Sequence, residues 1–380
     1  MKIKLFFSLV GVLLFCFSAL TQTDEQMLKA IKSDNFGYKF THDIQKLVQN
    51  ESVCFEYAMI GKDALARNCF RGFYNEDPLI MDQKYDFFPA QKVVAAFLEK
   101  ENPKIVAINE AHHISKHRVV MQSFLPLLYK NGYRYLFVEG LNHGDKLLNE
   151  RKFPKFMHSG LYIRDPEYAN MIRKALELGF ELIAYDQRGE NRDEKAANHI
   201  LGYMKDKGIE KIVIFAGYDH IKEKESYGKK SLIMHLNERL NTDAFTISQT
   251  EKLPKFHNAA SITDAVFCPH STKESKFYNG VNDDIDIAVF CSSDEDMVKS
   301  LLPEYAQWKA DIGNEALIFP ILIQAKVDGE GMLSIPMCVR EVANIEELEN
   351  TVLYLESGKK YTIEYLNPDY EIIYTKIIDL

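Results

Sequence analysis

Between residues 104 and 248 the chain alternates short apolar runs with amphipathic stretches, and this alternation restricts the possible folds more than any other feature. KIVAI (104–108), YRYLFV (133–138), FELIAY (180–185), KIVIF (211–215) and the run at 243–248 are the kind of segment a strand buried on both faces requires. Between them, 115–130 carries Val120, Phe124, Leu127 and Leu128 at helical spacing and is stopped by Asn131-Gly132. Residues 166–178 form a second helical pattern that ends at Gly179. Residues 192–207 set Ala196, Ala197, Ile200, Leu201 and Met204 on one face before Gly208, and 230–240 is a fourth helix. Strands and helices in this order predict an α/β fold with a largely parallel central sheet flanked by helices.

Outside this core the pattern changes. Residues 22–100 are an N-terminal extension with helices expected at 24–33, 42–49 and 89–100, and with Cys54 and Cys69 flanking a short piece. The core is expected over 101–295, with IDIAVF (285–290) as a last strand. Residues 296–380 carry a helix, starting at 294 and reaching 311, and a small β-rich C-terminal unit from strands at 316–326, 332–339 and 361–378.

The opening MKIKLFFSLVGVLLFCFSALTQTD has two lysines, an apolar run and small residues at its exit, the pattern of a signal peptide over 1–21 cleaved before Gln22. Export to the periplasm or the extracellular space is therefore expected. A membrane partner arises only through lipidation at Cys16, where Phe15 is bulky for that purpose. Of the six cysteines, five remain after cleavage. An oxidising compartment permits a bridge between Cys54 and Cys69 across a hairpin or helical turn. An odd count leaves at least one thiol without a partner inside the chain. The formal charge of −9 and the lack of a Lys/Arg stripe exclude nucleic acid as a partner and leave a small-molecule substrate. GxGxxG, GxxxxGK[ST], GxSxG and HExxH are all absent, which argues against nucleotide loops, a serine elbow and a zincin site.

Ligands bind at the carboxyl ends of the strands in parallel α/β sheets. Here the first strand ends in Asn109-Glu110-Ala111-His112-His113 and the second in Glu139-Gly140, with His143 shortly after. The third ends in Asp186-Gln187-Arg188 and the fourth in Gly217-Tyr218-Asp219-His220. Four successive strands thus deliver Glu110, Glu139, Asp186 and His220 to one edge. A single such carboxylate is often only a helix cap, but capping does not require every strand to end in an ionisable group. His112 and His113 compete for one inward position. His113 and His117, at i,i+4, share a helix face and have metal-ligand spacing. Arg188 is placed to hold a substrate carboxylate or to clamp Glu110 or Asp186, whereas Arg192 and Asp193 are equally well read as solvated ion pairs.

IVAINEAHH followed by YRYLFVEG resembles the GE-x-x-H opening and strand-borne glutamate of the erythromycin esterase family. RDEKAAN at 192–198 is similar to that family's RDxxMA motif, and Asp186 matches its acidic strand end. IVIFAGYDHI resembles the GxxH element shared with the haem-binding ChaN-like lipoproteins and the TraB/Tiki proteins of the same superfamily. The resemblance covers about residues 100–250. It departs at Asn109, which stands for a glycine, and at Gly217, which stands for the first of two histidines. It implies that Glu110 and His113 lie in the general-base region, with Glu139 as the second-strand acid and His220 as the second histidine.

Two functions are then expected. In the first, an exported hydrolase uses His113 or His220 to activate water on an ester, lactone or amide, with Glu110 or Glu139 orienting the imidazole and Arg188 stabilising negative charge. A metal-assisted version takes Glu110, His113 and His220 as ligands of a divalent metal, with His112 and His117 as alternates. In the second, the same histidines bind haem or metal without turnover.

Overall fold

The structure, a computed structural model, describes residues 37–48, 50–71, 80–81, 84–226, 228–252, 255–256, 262, 264–291, 301–311 and 318–380. The expected signal peptide, Cys16, the helix at 24–33 and the first part of the helix at 294–311 lie outside them. Six parallel strands form the central sheet: β1 (Ile105–Glu110), β2 (Tyr135–Val138), β3 (Glu181–Ala184), β4 (Ile212–Gly217), β5 (Phe245–Ser248) and β6 (Ile287–Ala288). Their order across the sheet is β6-β5-β1-β4-β2-β3, so β1 and β4 are central. Both central strands are buried along their whole length, as their unbroken apolar runs require.

Helices cover both faces. N-terminal to the sheet are α1 (Glu51–Met59), α2 (Asp63–Arg71) and α3 (Ala90–Glu101); among the strands run α4 (Lys116–Lys130), α5 (Pro166–Leu178), α6 (Arg192–Lys207) and α7 (Leu232–Leu240). Strand side chains alternate between the two faces. Val106, Val213 and Phe215 pack with Val120 and Phe124 of α4 and Ile172 of α5, while Ile105, Ile212 and Ile214 pack with Ile200 of α6 and Leu236 of α7. Local signals fix the helix ends: Asp165 accepts from the Glu167 and Tyr168 amides ahead of α5, Pro166 is its first residue, and Gly179 and Gly208 cap α5 and α6 in the left-handed region.

The remaining strands are antiparallel. Tyr85–Pro89 pairs with Val266–Ser271, and Phe290–Cys291 joins that sheet. The expected strand at 285–290 is therefore divided between two sheets, with Ile287–Ala288 at the edge of the parallel one. A four-stranded C-terminal sheet has the order Cys338–Val342, Ile321–Val327, Lys360–Leu366, Ile372–Asp379, and it shares its core with α5. Two expectations need correction. Residues Tyr305–Lys309 are a strand paired antiparallel with Val352–Glu356, not the end of a helix; only Tyr305 of the five is buried, and the pairing rather than an apolar pattern makes them a strand. Of the strand expected at 332–339 only Cys338–Val342 forms, continuing past the expected end, because Pro336 has no N–H to donate to a ladder. No helix among the described residues is long and apolar enough to cross a membrane.

Candidate active site

Glu110 is the last residue of β1 and lies in register with Gly217, the last residue of β4. It is almost wholly buried and cannot be left unpaired there. Arg118, one turn into α4 and equally buried, donates from Nε to Glu110 Oε2 at 2.6 Å and from Nη2 to Oε1 at 3.0 Å. Its Nη1 lies 2.8 Å from Asp165, the residue that caps α5, so one guanidinium links the start of α5 to the end of β1. Burial alone would raise the Glu110 pKa, but Arg118 and His112 outweigh it and bring it down to about 2.

His112 Nδ1 is 2.8 Å from Glu110 Oε1, and its Nε2 lies 3.9 Å from Glu139 Oε1. Its ring stacks on Tyr162 with centroids 4.1 Å apart and meets Phe55 and Tyr218 edge-on. Opposite sits Gly217. A Cβ at that residue would come within 2.6 Å of the His112 ring, so glycine is what lets the imidazole lie against the β4 backbone. The Gly217 amide donates to Glu139 Oε2. Tyr218, next in the chain, has φ of +40°, and its carbonyl accepts from Asn109 Nδ2 at 2.8 Å. Asn109 also accepts from the Gln249 amide at 2.7 Å, so the side chain standing where the resembled family has glycine ties the ends of β1, β4 and β5 together.

Glu139, just past β2, is the centre of the cluster. Oε1 receives Arg192 Nη2 at 2.5 Å and faces His220 Nε2 at 3.8 Å. Burial would raise the Glu139 pKa; His220, His112, Arg192 and the Gly217 amide lower it, so it remains a carboxylate. Arg192 Nε also bonds Asp186 Oδ1 at 2.6 Å. His220 Nδ1 lies 2.6 Å from Asp193 Oδ1. Burial pulls the His220 pKa down, but Asp193 and Glu139 prevail and it is raised. Glu110, His112, Glu139, Arg192, Asp186, His220 and Asp193 thus form one connected polar chain, buried at Glu110 and Glu139 and half-exposed at Asp186, Arg192 and His220.

The expected strand-end residues Glu110, Glu139, Asp186 and His220 meet at one edge. The choice between the adjacent histidines has to be corrected: His112, not His113, sits against Glu110. His113 instead stacks on Phe70 with centroids 3.8 Å apart and has Nδ1 3.2 Å from the Tyr218 hydroxyl. Burial first, then Arg118 and His112, push its pKa down to about 4. His117 is a packing residue whose Nδ1 accepts the Ala111 amide at 3.0 Å, and burial holds it at about 3. Arg188 is exposed, and Arg192 takes the clamping place foreseen for it. His143 bonds the Asp186 carbonyl at 2.9 Å. The set Glu110, His113 and His220 does not fit a metal ion, because Arg118 and His112 engage both Glu110 oxygens and His113 turns toward Phe70 and Tyr218. Among the described residues no three His, Cys, Asp or Glu side chains are grouped to hold one.

Sequence reasoning passed over Arg118 and Asp165. The signal for Arg118 was present: it shares the buried face of α4 with Met121, Gln122 and Leu125, so a charge lies among apolar residues at helical spacing. Phe55 and Phe70, brought in from α1 and α2, had no local signal.

No protein family matches the chain, and no curated protein matches it. Among solved structures it is similar to a chain described as "Bacterial protein toxins", at 14% identity and a TM-score of 0.32 over 43% of this chain and 37% of that one. It is similar to the type III effector HopBA1, at 12% identity and 0.30 over 44% and 85%. It is also similar to RRSP, a MARTX toxin effector domain from Vibrio vulnificus CMCP6, at 17% identity and 0.27 over 44% and 37%. The chain thus spans little more than a third of the first toxin chain it matches.

Proposed function

We propose that the protein is an exported hydrolase of the erythromycin esterase/ChaN-like superfamily, acting on an ester, lactone or amide bond of a small molecule. One observation carries the reading: two imidazoles aim Nε2 at the same Glu139 Oε1, from 3.9 and 3.8 Å, and a separate carboxylate lies beside each Nδ1, Glu110 for His112 and Asp193 for His220. A carboxylate behind an imidazole fixes its tautomer and stabilises its protonated form. Separations of 3.8 and 3.9 Å are too long for direct hydrogen bonds and suit a reacting water held beside Glu139.

In the proposed reaction His112, with its Nδ1–H on Glu110, takes a proton from that water through Nε2 as the oxygen attacks the carbonyl carbon. His220, whose raised pKa favours the imidazolium, donates its proton to the leaving oxygen or nitrogen as that bond breaks. Glu139 stabilises each imidazolium in turn, and Arg192, which bonds Glu139 and is half-exposed, supplies positive charge for the developing oxyanion. The disulfide between Cys54 and Cys69 supports an oxidising compartment.

A screen of chromogenic esters, lactones and amides with wild type and His220→Ala tests this, beside elemental analysis and an absorption spectrum of the purified protein. Turnover that falls about a hundredfold or more in the variant, with folding unchanged, is the expected result. A haem band or stoichiometric metal with no turnover on any substrate would replace the hydrolase by a binding module.

A further inference from the structure

The disulfide joins α1 to α2 at Cys54 and Cys69, and the next residue on each helix is a phenylalanine that lies on the site. Phe55 meets His112 and Tyr162 edge-on, with centroids 5.8 and 5.7 Å away. Phe70 stacks on His113 at 3.8 Å and lies parallel to Tyr218. The two helices are held very differently. Helix α1 buries Val53, Cys54, Tyr57, Ala58 and Met59, whereas α2 buries only Ala66 of its nine residues. The turn between them is anchored, because Ile60 O accepts the Glu341 amide at 3.1 Å and Lys62 pairs with Glu347. Beyond that turn, among the described residues, the bridge at Cys69 ties α2 covalently to the buried Cys54 of α1.

We infer that α2 is a roof over the candidate active site, that Phe70 is a positioning residue for the His113–Tyr218 side of it, and that the Cys54–Cys69 bridge locks the roof down. The inference rests on the proposed hydrolase only for its effect on turnover; the placement of the roof is tested separately. Cys54 is fully buried and Cys69 half-exposed, so a dithiol reductant reaches the Cys69 sulfur first. Its thiolate attacks that sulfur and Cys54 leaves as a thiolate. The reductant's second thiol then closes a cyclic disulfide, releasing Cys69; two electrons and two protons pass from the dithiol to the two cysteines. Helix α1, with its own core contacts, stays in place and keeps Phe55 on His112. Helix α2, with one buried residue, opens and takes Phe70 off His113.

The test uses the full chain, oxidised or treated with dithiothreitol, and the Phe70→Ala variant with its bridge intact. Carbethoxylation of individual histidines by diethyl pyrocarbonate is followed by mass spectrometry, with hydrogen exchange over 63–71 in parallel. The expected result is an increase of about tenfold in the His113 modification rate on reduction, and a similar increase in oxidised Phe70→Ala, as local opening exposes a stacked ring. Phe70→Trp should restore protection, and His117, buried in the first turn of α4, should stay protected throughout. On a substrate found by the screen, reduction should raise KM more than it lowers kcat. Unchanged His113 modification in both the reduced protein and Phe70→Ala would overturn the roof, whatever the turnover. Altered modification without turnover on any substrate would leave the roof standing and count against the hydrolase.

Discussion

Gly217→Ala adds one methyl group where the structure has least room for it. The new carbon would sit 2.6 Å from both Cε1 and Nε2 of His112 and 3.1 Å from Glu139 Oε2. The first contact falls about 0.8 Å short of ordinary van der Waals distance, so in a close-packed site the ring must move by nearly that amount. Its escape is blocked on one face by Tyr162 at 4.1 Å and along the ring plane by the 2.8 Å bond to Glu110. Overpacking of this kind costs about 1–3 kcal/mol. A reacting group displaced by about 1 Å loses on the order of a hundredfold in rate. Gly202 is the matched control: it lies inside α6, and a methyl group added there would meet nothing within 4 Å, so Gly202→Ala should stabilise by about 0.5–1 kcal/mol. Urea unfolding and hydrolysis rates for both variants give the answer. If Gly217→Ala matches wild type in stability and rate, His112 does not lie against the β4 backbone and the proposed alignment fails.

Arg118→Met should lower stability by about 3–5 kcal/mol in urea unfolding, because Glu110 and Asp165 are left buried without their shared cation; a loss below about 1 kcal/mol would mean both carboxylates find water. His113 and His117, held at about 4 and about 3, bind protons more readily unfolded, so the stability they contribute falls as pH drops below about 6.5. Glu110, at about 2, adds a further loss below about 4.5, while the contribution of His220, full below about 6.5, is lost as pH rises through its raised folded value. Glu167 and Glu223, raised to about 7 by burial, work in the opposite sense over the same range, so the histidine share is read from wild type against His113→Gln: the variant's urea midpoint should fall less between pH 7.5 and pH 4.5 than that of wild type, and an equal change in the two proteins would refute the low His113 pKa. Asp193→Asn removes a group that raises the His220 pKa, so the alkaline limb of kcat/KM should move to lower pH, and an unmoved limb would remove His220 as the acid.

The central sheet was legible because each of its elements carries its own signal. The apolar runs at β1 and β4 admit only a doubly covered strand, and Pro166, Gly179 and Gly208 mark helix ends within a residue. The C-terminal sheet was harder, since its register depends on partners far along the chain: Tyr305–Lys309 becomes a strand through Val352–Glu356, not through its own pattern. At the site, strand ends predicted which carboxylates would meet. They did not separate His112 from His113, because that choice depends on the close approach to Gly217, a residue more than a hundred positions away. The roof over the site was hidden for the same reason: Phe70 reaches His113 only through tertiary packing.

In the proposed mechanism His112 and His220 work as one unit around Glu139, and a double-mutant cycle measures that directly. The rates of His112→Ala, His220→Ala and the double variant are compared on one substrate from the screen. Residues that act together are not additive, so each single variant should lose about a hundredfold or more and the double variant little beyond that. Losses that multiply, with the double variant falling by the product of the two, would show two independent histidines and contradict the shared centre at Glu139.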